Sequence, residues 1–130
     1  MDDLFGLKRW VLAVGAVLTV FFFLKSAGTL AALVHPPSLL ILGWCLLPIG
    51  HLWAFGREDD PEMASLVLVS ASVMVLVFGT WVYVDMTILR ADAQSALAFL
   101  VVPLMQMAVA MPAVLAAWIL RRRGEPIAAT

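Results

Sequence analysis

Four long apolar runs, separated by short polar breaks, decide what this chain can fold into. A helix that crosses a bilayer needs roughly 20 mostly apolar residues, and each run is of that order. Apolar residues make up 64% of the 130 and charged residues only 13%, too apolar a balance for a soluble domain of this size to cover with polar surface. Lipid is therefore the expected solvent. The polar breaks leave length for four passes, or at most five, and none for a soluble domain. The expected fold is an all-α membrane protein, a four-transmembrane-helix bundle forming a single membrane domain over 1–123, with a disordered tail over 124–130.

The breaks set the expected helices. Lys8 and Arg9 precede the first run, which meets Lys25 at its far end, so helix 1 is expected at about 9–27, with the Lys25 stem carrying its ammonium up to the headgroups. A signal peptide is a competing reading of residues 1–28: a basic start, an apolar stretch and the small residues Ser26, Ala27 and Gly28. Lys25 just before that site argues against cleavage. His35-Pro36-Pro37 interrupts the chain because proline lacks an N–H and biases the preceding residue to extended geometry, which places helix 2 at about 38–55. The break Gly56-Arg57-Glu58-Asp59-Asp60-Pro61-Glu62 leads into helix 3 at about 63–84. There Asp60 is expected to cap, with Pro61 at the first position. Helix 4, at about 93–120, follows a break holding Asp85, Arg90, Asp92 and Gln94, and ends at Arg121-Arg122-Arg123. Asp92 is expected to cap it through the N–H of Gln94 or Ser95.

Lysine and arginine give the orientation. Lys8, Arg9, Arg57, Arg121, Arg122 and Arg123 share one side and only Lys25 and Arg90 the other, which places both termini in the cytoplasm. Trp10, Trp53 and Trp118 fall at the inner helix ends and Trp81 with Tyr83 at the outer end of helix 3, as an aromatic belt requires, and Trp44 lies deeper.

Polar groups inside a bilayer must find partners. Thr19, Ser72 and Gln106, with Pro48, fall at similar depth and form a candidate midplane layer. Its two readings are a small site for a polar ligand or ion, and interhelical hydrogen bonding worth about 0.6 kcal/mol. Pro103 removes the N–H that would reach the Phe99 carbonyl and Pro112 does the same at Ala108, so kinks are expected in helix 4. His35 and His51 lie about 24 Å apart along helix 2 and cannot clamp one haem; His51 reads as an interfacial histidine. Asp85, Asp92 and Arg90 could attract a cation or partner, or simply be solvated.

Several chemistries lack their residues. The single cysteine, Cys45, allows no intramolecular disulfide or cysteine metal cluster. No nucleophile has a base beside it, no phosphate loop or metal spacing appears, and no basic tract of nucleic-acid type is present. The chain thus reads as non-enzymatic, with no catalytic, metal or cofactor residues and no cofactor.

Asp92-Ala93-Gln94-Ser95-Ala96-Leu97-Ala98-Phe99-Leu100-Val101-Val102-Pro103-Leu104-Met105-Gln106 resembles a recurring pattern of small bacterial four-helix membrane proteins to which no activity is attached. The resemblance covers little more than a tenth of the chain. It implies a bacterial inner membrane and a four-helix layout, and transfers no ligand or partner. Small multidrug exporters fit poorly, since helix 1 has no acidic residue between Trp10 and Leu24; dual-topology fluoride channels would need a weaker charge bias.

The function expected from these observations is binding of another membrane component, as an accessory subunit or an immunity-type protein against a membrane-active toxin. Gly15, Ala71 and Gly79 are the small residues expected to let a partner approach. The alternative is a channel or transporter for a small solute, complete only as a homo-oligomer, with Ser72 and Gln106 on the path. A quinone or electron-transfer subunit using His51 between chains is a third option.

Overall fold

The computed structural model describes residues 2–28, 30–90 and 95–124. Four helices carry the fold: α1 Asp2–Ala27, α2 Pro36–Phe55, α3 Glu62–Val84 and α4 Ser95–Gly124. A short 3-10 turn, Leu30–Leu33, precedes α2, and a π-helical turn, Asp85–Leu89, prolongs α3. All four helices are long and apolar enough to cross a membrane.

The ends differ from the sequence expectation for local reasons. Helix α1 begins at Asp2 rather than near residue 9, adding polar turns that a hydropathy reading discards. At its other end Gly28 adopts φ +75 and its N–H reaches the Leu24 carbonyl at 2.9 Å, a left-handed stop that glycine adopts without a Cβ clash. Helix α2 starts at Pro36 rather than 38: both prolines occupy its first turn, where their missing N–H groups have no helical acceptor to lose.

At α3, Pro61 is the N-cap and no side chain caps the helix. The expected Asp60 cap is thus overturned; its carboxylate instead accepts the Arg57 N–H at 2.8 Å, closing the turn from within. Helix α4 runs on through Arg123 to Gly124, past the expected end at 120, because arginine is a good helix former and suits a helix C-terminus. Asp92 and residues 125–130 lie outside the described residues, so the Asp92 cap and most of the expected tail do too.

Packing arranges the helices as a square. Helix α1 packs beside α2 and α3, α4 packs beside the same two, and the diagonal pairs barely meet. Lys8 near the start of α1 lies against Gly56 after the end of α2, and Arg121 of α4 reaches Phe55 and Asp60. One end of the bundle therefore collects Lys8, Arg57, Asp60 and Arg121, and is called the basic end below. Apolar side chains fill the interior in two clusters. One, around Leu12, Leu52, Leu68 and Ala110, lies toward the basic end. The other gathers Phe22, Phe23, Tyr83 and Phe99 toward the opposite end.

Candidate functional site

Thr19, Ser72 and Gln106, on three different helices, line one small central cavity together with Gly15, Gly79 and Tyr83. Pro48 is buried elsewhere and does not border it. The cavity measures about 10 Å3, close to the space of a single water. Both hydroxyls turn back onto their own helices: Thr19 Oγ1 donates to the Gly15 carbonyl at 2.8 Å and Ser72 Oγ to that of Leu68 at 2.7 Å. Gln106 alone crosses between helices, its Nε2 donating to the Val75 carbonyl at 2.9 Å. That bond ties α4 to α3 in a medium where no bulk water competes. Two buried polar atoms on the cavity wall, Gln106 Oε1 and Tyr83 Oη, have no hydrogen-bond partner among the described residues.

Pro103 shows how the bundle accommodates a broken backbone ladder. Helix α4 continues through both Pro103 and Pro112, and the Phe99 carbonyl, deprived of its usual N–H by Pro103, accepts instead from the Cys45 thiol at 3.2 Å. One residue on, the Leu100 carbonyl accepts the Trp44 indole N–H at 3.0 Å. Helix α2 thus supplies two donors where α4 lacks one, the usual means by which a neighbour satisfies a proline-freed carbonyl in lipid. In the sequence Cys45 stands out only as too solitary for a disulfide or a cysteine metal cluster; the signal that finds its role is the orphan carbonyl itself, which demands a donor at its depth.

Tyr83 departs from the aromatic-belt expectation. Trp81 is 70% exposed and faces outward, whereas Tyr83 is 2% exposed and stacks on Phe99 with centroids 5.0 Å apart. Two residues are 200° apart around a helix, so the pair cannot share a face.

Gly15, Ala71 and Gly79, expected to admit a partner, are all buried inside the bundle. A Cβ on Gly15 would touch Ile49 and Leu76 at 3.5 Å. Their smallness serves the chain's own helix contacts, which corrects the partner role given to these positions. Gly43 and Gly50 of α2, by contrast, are exposed, with open space where each Cβ would be.

At the basic end, Asp60 is 3% exposed and Lys8 2%. Arg121 Nε donates to Asp60 Oδ1 at 2.6 Å while its Nη2 donates to the Phe55 carbonyl at 3.0 Å. A single guanidinium thereby locks the α2–α3 turn onto α4. Lys8 Nζ has no hydrogen-bond partner among the described residues and lies 5.0 Å from the Phe5 ring centroid. At the opposite end Asp85 and Arg90 pair with each other at 3.4 Å, while Lys25 is exposed at the end of α1. His51 contacts the Phe55 ring, and its Nε2 is buried without a hydrogen-bond partner among the described residues. Among the described residues, no three His, Cys, Asp or Glu side chains come together as a metal site.

These features define a class: a small all-α bundle of four hydrophobic helices with the dimensions of a multi-pass membrane protein, in which Trp44, Cys45, Gln106 and Arg121 bond helix to helix. Beyond the class, no protein-family model, characterised protein or solved structure matches the chain.

Proposed function

We propose that the chain is a non-enzymatic multi-pass protein of a bacterial inner membrane, with both termini cytoplasmic, that binds another membrane protein as an accessory subunit or an immunity-type protein. The observation that carries this reading is the outer face of α2. This helix is the least buried of the four, and Gly43, Leu47, Gly50 and Ala54, spaced about one helical turn or two apart, are all exposed on it. Two glycines on that face let a partner helix approach the α2 backbone closely. The charge bias of six Lys and Arg against two supports the orientation, and the short pattern from Asp92 to Gln106 supports the bacterial placement.

The central cavity favours this reading over conduction through one chain. A space of about 10 Å3 beside the Gln106–Val75 bond offers no continuous polar path. A channel would have to lie between copies. The test is the native mass of the gently solubilised protein and whatever co-purifies from its own membrane. A distinct membrane partner, lost on Gly43→Leu with Gly50→Leu, is the expected result. Co-purification unaffected by both substitutions rejects the α2 face, and a clean homo-oligomer shifts the reading to a pore.

A further inference from the structure

Between α2 and α4 at the basic end lies a groove of about 250 Å3, lined by His51 and Phe55 on one side and by Met111, Leu115, Trp118 and Arg121 on the other. We propose that it is a binding site for one phospholipid with an anionic headgroup. The order of chemistry along α4 carries the inference. Met111 and Leu115 offer only apolar surface at the deep end. His51 and Trp118 come next, Arg121 closes the mouth, and Arg122 lies beside it over the Trp118 ring. Met111 to Arg122 spans about 16 Å of helix axis. Acyl chain, ester and phosphate follow one another in the same sequence in a lipid.

Each level has a group suited to it. The buried His51 Nε2 has no hydrogen-bond partner among the described residues, and it sits one turn before Phe55, level with the ester region of a lipid, where a polar group of the glycerol backbone can meet it. The Arg122 guanidinium is held over the Trp118 ring at 3.9 Å, which fixes a cation beside the groove wall. Arg122 makes no ion pair with a carboxylate among the described residues, unlike Arg121, which Asp60 already engages. Arg122 is therefore the cation left for a lipid phosphate, the chemistry by which basic pockets on membrane helices select anionic headgroups.

The test needs no protein partner, so its outcome is independent of the accessory-subunit reading. Lipid binding to the purified full chain is followed by native mass spectrometry, with phosphatidylglycerol and phosphatidylcholine of identical acyl chains. Phosphatidylglycerol is expected to bind about five-fold tighter, the effect of roughly one cation near an anionic lipid. Arg122→Gln should bring the two lipids to near equality, and Met111→Trp, which fills the exposed groove, should weaken both. Equal binding of the two lipids by the native chain overturns the proposal. So does a preference that survives Arg122→Gln intact, or binding indifferent to Met111→Trp.

Discussion

The Gln106 side chain lies across Gly79: a Cβ at residue 79 would collide with Gln106 Nε2, the atom that donates to the Val75 carbonyl. The absence of a side chain at one position therefore creates the berth for a polar side chain at the other. Gly79→Ala should force the amide off Val75, costing about 1–2 kcal/mol through the lost bond and local crowding. In a Gln106→Ala background the obstacle is gone, and alanine's better helix propensity should make the same substitution neutral or slightly stabilising. Unfolding of the four proteins of this cycle in mixed micelles measures the coupling. Additive effects would mean that the two residues do not share the berth.

The pairing of Cys45 with the Phe99 carbonyl depends on Pro103 and can be tested through it. Cys45→Ala removes the donor and a buried sulfur, and should cost about 1–2 kcal/mol. With Pro103→Ala, residue 103 regains an N–H aimed at Phe99, so the cost of Cys45→Ala should shrink by about half. An identical penalty in both backgrounds would show that the thiol does not act as the substitute donor. Because Cys45 is fully buried, a maleimide should label the native protein only after unfolding.

Much of the architecture was legible from lengths alone. Runs such as 63–84 can be satisfied in lipid only as helices, and the breaks at Pro36 and at Arg57 to Pro61 follow from proline and charge. What a hydropathy reading does not record is the rotation of each helix about its axis. In water an amphipathic stripe marks the buried face; in a bilayer both the core and the solvent are apolar, so Tyr83 and Trp81 look alike in sequence although one is buried and the other bare. The same loss of contrast placed Gly15 and Gly79 on an outer surface when they face inward. Thr19, Ser72 and Gln106, chosen as polar groups at one depth, line one cavity, whereas Pro48 at the same depth does not border it and Ser70 of α3 is exposed. Asp60 was misread for a different reason: its local alternative, the cap, is visible in sequence, while Arg121 is 61 residues away.

That long-range pair yields the largest effect expected in the chain. Asp60 accepts the Arg57 backbone N–H and the Arg121 guanidinium, and its negative charge also acts on the buried Lys8 without a direct bond, so its carboxylate is the counter-charge for Arg121 and Lys8. Asp60→Asn keeps the shape and removes that charge, leaving the buried Lys8 ammonium uncompensated, and should cost about 3 kcal/mol. Arg121→Lys should lose less, about 1–2 kcal/mol, since an ammonium can reach Asp60 but lacks the planar fork that also serves the Phe55 carbonyl. Lys8→Met should relieve part of the Asp60→Asn penalty, because it removes the charge that substitution strands. Thermal unfolding of the three single variants and the Asp60→Asn, Lys8→Met pair in one detergent measures these differences. If the pair is no more stable than Asp60→Asn alone, Lys8 is not held by this carboxylate, and the basic end is fastened through Arg121 alone.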